Sequence, residues 1–268
     1  MSEASSRRGR RTPLLLAIPA VVACLFLLVP LLGLLIKAPW PQFFAKVASP
    51  GVGQALGLSL LTATETTAIC LVIGVPFAWA LARTNLPGRK FLRVLVTVPL
   101  ILPPVVGGVA LYSALGRQGI LGRWLYEWWG ISIPFTHLAV VLAQTFVALP
   151  FLILSVDGAL RTSRGELEEA SATLGADRWT TFRRITLPQA GPAVVAGAVL
   201  AWARALGEFG ATITFAGSLP GRTETMPVRV YTELIDDYDG TIVLSILLLL
   251  VAVVVLTALR GRWVAGLS

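Results

Sequence analysis

The chain has 268 residues, of which 56% are hydrophobic and 13% charged, with a mean hydropathy of +0.79. A soluble domain carries roughly twice that charged fraction, so the composition excludes a soluble globular protein and implies a polytopic membrane protein. The net charge of +8 belongs to membrane ends rather than to a nucleic-acid surface, because no basic patch is interleaved with aromatics.

Residues 1–12 are polar and read as a cytoplasmic N-terminal tail, with Arg7, Arg8, Arg10 and Arg11 ahead of an apolar run. That run, 13–36, is too long for the apolar region of a signal peptide and is read as an uncleaved first transmembrane helix. A loop with Trp40, Phe43 and Phe44 suits the interface. The second span runs from about Leu56 to Leu81 and holds Glu65 near its middle. A basic turn follows, marked by Pro87-Gly88. The third span, about Leu92 to Leu115, contains Pro99, Pro103, Pro104, Gly107 and Gly108, which predicts a kinked or broken helix. Such a break either lines a pore or packs inside the bundle. Trp124, Tyr126, Trp128 and Trp129 predict an interfacial helix within 116–134. The fourth span is about Phe135 to Val156, the fifth about Ala190 to Phe215, and the sixth about Thr241 to Leu259. A glycine-rich loop and an acidic, helical segment separate the last two.

The stretch from Ser163 to Pro192 is the longest polar run between apolar segments. Ser163 followed by Glu166 reads as a capping box at a helix start. Leu167, Ala170 and Leu174 recur at helical spacing, and Gly175 closes that helix in the left-handed conformation. Asp177 caps a second short helix bearing Trp179, Phe182 and Ile185 on one face, and Pro188 fits the first turn of the next helix. The stretch is therefore two short amphipathic helices joined by a tight bend outside the bilayer.

The spacing within it is more specific than amphipathicity. Glu169-Ala170-Ser171, three residues, Gly175, nine residues, then Ile185-Thr186-Leu187-Pro188 resembles the EAA loop of ABC importer permeases, with Ser171 replacing the second alanine. The resemblance implies that 158–190 is a cytoplasmic coupling loop docking on a separate ATPase, within a transmembrane domain covering 52–260. Glu169, Ala170, Ser171, Gly175, Ile185, Leu187 and Pro188 are the implied coupling residues. The expected fold is all-α, about six transmembrane helices with cytoplasmic coupling helices, as in type I importers.

Charge supports the same orientation without the family. Six spans put both termini on one side. Fifteen Lys and Arg fall on the side of the termini and the 158–190 loop, six fall on the other, and Arg204 lies within a span. The positive-inside rule places the richer side in the cytoplasm.

Inside the fifth span, Arg204 and Glu208 stand one helical turn apart. A charge at mid-membrane costs about 2.5–3.5 kcal/mol on insertion scales. Either the two neutralise each other at i, i+4, or Arg204 lends positive potential to an anion path. Glu65 has no evident partner; it either pairs with Arg204 or faces a water-filled cavity. Thr212 and Thr214, just beyond, add hydroxyl donors, so Arg204, Glu208, Thr212, Thr214 and Glu65 are the candidates along a translocation path.

No G-x-x-x-x-G-K-[ST], G-x-S-x-G or H-E-x-x-H occurs, and a single histidine, His137, leaves no plausible zinc site. Neither catalysis nor a metal is expected. Gly207-Glu208-Phe209-Gly210-Ala211-Thr212, Phe215-Ala216-Gly217, Leu219-Pro220-Gly221, Thr223-Glu224-Thr225, Pro227 and Tyr231 resemble the molybdate branch of these permeases; sulfate permeases are similar through the first part. This implies a permease homodimer in a prokaryotic inner membrane, moving molybdate or tungstate. It also implies two ATPase subunits that use ATP and Mg, and a periplasmic or lipid-anchored oxyanion-binding protein. No cofactor is expected on this chain. A secondary anion transporter, which would show paired broken helices in two related halves, and a membrane enzyme are the rival classes.

Overall fold

A computed structural model describes residues 14–163 and 165–264; the proposed N-terminal tail, 1–12, and Arg164 lie outside the described residues. The described chain is helical. Among these residues five helices are long and apolar enough to cross a membrane, or six when one bent pair counts as a span. The elements are α1 (Leu14–Lys37), α2 (Phe43–Val47), α3 (Val52–Arg83), α4 (Arg89–Ile101), α5 (Pro104–Leu115) and α6 (Gly122–Trp129). They continue with α7 (His137–Thr162), α8 (Glu166–Thr173), α9 (Arg178–Leu206), α10 (Gly210–Phe215), α11 (Met226–Asp236) and α12 (Tyr238–Val264). Two of these helices widen into a π turn, α3 at Cys70–Gly74 and α9 at Phe182–Thr186.

The core is built by α3, α7 and α9. Small residues line the contacts: Ala63, Ala78, Ala148, Ala201 and Ala205 are fully buried, with Leu81, Leu152, Val156 and Leu160 filling the space between. In lipid there is little hydrophobic drive between helices, so close backbone approach and polar ties hold the bundle. Thr66 supplies one tie, its hydroxyl donating to the Val141 carbonyl and to Gln144 Oε1 at 3.3 and 3.1 Å. Ser59 Oγ supplies another, accepting the Met226 N–H at 2.7 Å and joining α3 to α11. Helix α1 packs differently: its membrane window buries nothing, and it meets α12 mainly through Leu34 and through Ala38 just past its end.

The prolines break the third span as expected. Helices α4 and α5 meet at 118° across Leu102-Pro103. The fifth span is also broken, against the continuous helix expected from Ala190 to Phe215. Helix α9 ends at Leu206, Gly207 closes it, and α10 restarts at Gly210. The two broken pieces pack on each other. A Cβ on Gly108 of α5 would sit 1.7 Å from Thr214 Oγ1 and 2.8 Å from the Ala211 carbonyl oxygen, so only glycine admits α10 this closely.

Candidate functional site

The stretch 163–192 folds as a bent pair of helices, with one correction. Ser163 does not cap α8. It closes α7 in an extended conformation, its hydroxyl donating to the Leu160 carbonyl at 3.2 Å and accepting from Arg83 Nη2 at 2.6 Å. Gly165 takes the N-cap place instead, without a side-chain bond. The acidic first turn, Glu166, Glu168 and Glu169, complements the positive end of the helix.

The bend after α8 is a Schellman motif. Gly175 N–H reaches the Ala172 carbonyl at 3.0 Å, Ala176 N–H reaches the Ser171 carbonyl at 3.1 Å, and Gly175 has φ +83°. Asp177 then caps α9, accepting the Thr180 N–H at 3.1 Å. Hydrogen bonds from Thr180 hold the Asp177 carboxyl below its ordinary pKa. The second helix is not separate from the membrane span: through the π turn, α9 runs on to Leu206, with Pro188 in the first α-helical turn after it.

The side chains of this stretch divide into two faces. Glu169, Ala170 and Gly175 are exposed, with Leu167, Leu174 and Trp179 beside them at 57%, 88% and 65% exposure. Pro188 is exposed too, while Ile185 and Leu187 are half-buried. Ser171 is buried, its hydroxyl 3.0 Å from Thr181 Oγ1. This bond crosses the bend, and the alanine of the EAA pattern could not make it. Glu168 also faces inward, 3.0 Å from Arg83 Nε and accepting the Thr186 hydroxyl at 3.0 Å.

The intramembrane candidates do not form one cluster. Arg204 Nη1 lies 2.5 Å from Glu208 Oε2, and the Glu208 side chain is 1% exposed. Its other oxygen accepts the Ala211 N–H at 2.8 Å, so Glu208 both neutralises Arg204 and caps the start of α10. Thr212 is fully buried. The Thr214 hydroxyl donates within its own helix, to the Gly210 carbonyl at 2.8 Å, and packs on Gly108. Glu65 does not pair with Arg204, which is taken by Glu208. Its partner is His137, with Nε2 2.6 Å from Oε2 and both side chains 39% exposed. Residues 72 apart in sequence gave no signal of that contact. Next to it, Trp202 Nε1 donates to Thr64 Oγ1 at 3.3 Å, linking α9 to α3.

Residues 71–265 match the family described as "Binding-protein-dependent transport system inner membrane component". The chain is 47% identical over 249 residues to the "Molybdenum transport system permease protein ModB" of Mycobacterium tuberculosis, covering 93% of this chain and 94% of that protein. It is 36% identical over 253 residues to the "Sulfate transport system permease protein CysT" of Escherichia coli, covering 91% of each. A solved bacterial ABC transporter involved in the import of the acidic polysaccharide alginate superposes with a TM-score of 0.74 at 20% identity, over 93% of this chain and 94% of that one. Broken spans and a bent helix pair projecting from one end of a small-residue core thus occur together with a profile match over most of the sequence, and the chain belongs to the inner membrane components of binding-protein-dependent transport systems.

Proposed function

We propose that this chain is the permease subunit of an ATP-driven importer for molybdate, with tungstate within reach of the same chemistry. The observation that carries the reading is the α8–α9 bend, with an exposed face bearing Glu169, Ala170, Leu174 and Gly175 at the end of the bundle where basic residues gather. Arg83, Arg89, Lys90, Arg93, Arg161 and Arg178 all belong to that end, which the positive-inside rule places in the cytoplasm together with both termini. Two such permeases form a homodimer, each docked on an ATPase subunit that binds the ATP and Mg. An external oxyanion-binding protein delivers the substrate. The permease does no bond chemistry; it converts closure of the ATPases into alternating access.

The Glu65–His137 pair supports a path along its side of the bundle. Glu65, inside α3, and His137, at the start of α7, are each 39% exposed, and an ionisable pair placed so does not face lipid cheaply. That face of α3 and α7 is covered by the second copy or by water. Helix α9 joins the same face through Trp202, with Arg204 28% exposed nearby and the Arg204–Glu208 pair acting as a clasp beside the path. Thr212 and Thr214 are engaged in α10 packing in this conformation and enter the path only if α10 moves. Selectivity rests mainly with the binding protein, since the spans hold no dense set of donors. Radiolabelled molybdate uptake by the reconstituted importer, with sulfate and phosphate as competitors, tests the assignment. Uptake without the ATPase, or equal competition by sulfate, overturns it; the latter result would favour the sulfate reading.

A further inference from the structure

The coupling stretch is tied to the bundle at one acidic side chain that the EAA pattern does not include. Glu168 lies one residue before Glu169 but about 100° round α8, where it is shielded while Glu169 is exposed. Its carboxylate is 3.0 Å from Arg83 Nε, and one oxygen accepts the Thr186 hydroxyl at 3.0 Å. All three groups are shielded: the Arg83 and Glu168 side chains are 18% and 17% exposed, and Thr186 is 1% exposed. Arg83 also donates to Ser163 Oγ at the end of α7. The rings of Trp79 and Phe182 pack edge to face beside the cluster, with centroids 5.4 Å apart.

What Glu168 joins is specific. Arg83 is the last residue of α3, the helix that carries Glu65; Thr186 lies in α9, the helix that carries Arg204. Each is eighteen residues from the intramembrane charge on its own helix, about 27 Å at 1.5 Å per residue. The two rods are joined again by the Trp202–Thr64 hydrogen bond, close to the end of α9 and partway along α3. A shift of α8 therefore pulls on both helices at once. The π turns, Cys70–Gly74 and Phe182–Thr186, lie at or above this junction, where widened turns let a helix yield.

We propose that Glu168 is a positioning residue for coupling: it locks α8 to the ends of α3 and α9, so that movement of the docked ATPase reaches the helices bearing Glu65 and Arg204. Docking uses the exposed face of α8; transmission uses Glu168 on the inner one. This rests on the permease reading above. The test uses the full importer with its ATPase and binding protein in proteoliposomes, comparing Glu168→Ala, Arg83→Met, Thr186→Val and the charge swap Arg83→Glu with Glu168→Arg. Three quantities are read: ATPase retained on the purified permease, stimulation of ATP hydrolysis by the loaded binding protein, and anion taken up per ATP. Glu168→Ala and Arg83→Met are expected to keep ATPase retention near wild type while uptake per ATP falls about fivefold or more, the lower range for coupled sites. Thr186→Val is expected to give a smaller fall, and the charge swap to restore the ratio. Unchanged uptake per ATP in Glu168→Ala and Arg83→Met overturns the proposal, as does loss of ATPase retention in parallel with transport, which would make Glu168 part of the docking surface. If the wild-type importer moves sulfate rather than molybdate, the substrate assignment fails, yet the ratio per ATP for the transported anion still decides the role of Glu168.

Discussion

Replacing Gly175 separates backbone geometry from contact at the coupling bend. The residue has φ +83°, and a Cβ built there would meet no atom within 4 Å. Steric crowding by neighbours therefore contributes nothing, and the whole cost of Gly175→Ala is that of holding a Cβ-bearing residue in the left-handed region, about 1–2 kcal/mol. If the Schellman bend is required for docking, apparent ATPase affinity should fall about 5- to 30-fold. Gly175→Asn should lose less, because asparagine visits this region readily. Gly175→Val should lose more, because a β-branched side chain resists it. Gly175→Pro should be worst: its φ is fixed near about −65°, and it removes the N–H that bonds the Ala172 carbonyl at 3.0 Å. The assay is titration of the purified ATPase onto detergent-solubilised permease variants of equal membrane abundance. Equal affinity for Asn and Val, or wild-type affinity for Pro, would refute the argument.

Four further outcomes follow from the same geometry. Glu169→Lys reverses a charge on the exposed face of α8 and should weaken ATPase recovery in a pull-down without changing permease abundance. Glu208→Gln leaves Arg204 without its anion and weakens the cap on α10; a loss of about 3 kcal/mol is expected, at the low end for a broken buried pair because Arg204 is 28% exposed, read as a lower thermal midpoint. Reporter fusions at Ser2 and Ser268 should both give a cytoplasmic signal, and a periplasmic signal from either would remove the proposed orientation. Asp237, just before α12, has its carboxyl pKa lowered, first by the hydrogen bond from Lys46 at 2.5 Å. A depressed folded value means its contribution is complete above the unfolded pKa of about 4 and is lost as pH falls through the lowered value, so Asp237→Asn should flatten the acid side of the stability profile.

The spans were legible because long apolar runs need no tertiary information, and the α4–α5 break because prolines announce it. The break between α9 and α10 was not legible. Gly207 and Gly210 flank a charged residue inside an apolar run, and only the folded chain shows Glu208 spending its carboxylate on Arg204 and the Ala211 N–H. Gly175 and Asp177 act locally and could be placed from neighbouring residues alone. Ser163 misled for the opposite reason: its hydroxyl is claimed by Arg83, eighty residues away, as well as by Leu160, rather than by the helix that follows. Glu168 was overlooked because the pattern drew attention to Glu169, whereas the inward face of α8 is set by which helices lie behind it.

The π turn in α3 has a consequence for how the two ends of that helix are phased. A π turn accommodates one extra residue without advancing the helix by the about 100° that residue would otherwise add. In an unbroken α-helix, eighteen residues complete five turns, and Glu65 and Arg83 would lie on one line. With Cys70–Gly74 widened, Arg83 is offset by roughly a quarter turn, which lets one end face His137 and the other face Glu168. Excising one residue from within Cys70–Gly74 would heal the helix and leave both ends aimed as they are; excising one between Val75 and Ala82 would swing Arg83 away by about 100°. A rigid span thus contains a short segment where length can change without cost to aim, and a bulge that migrates along the helix would turn the residues it passes while both ends stay put.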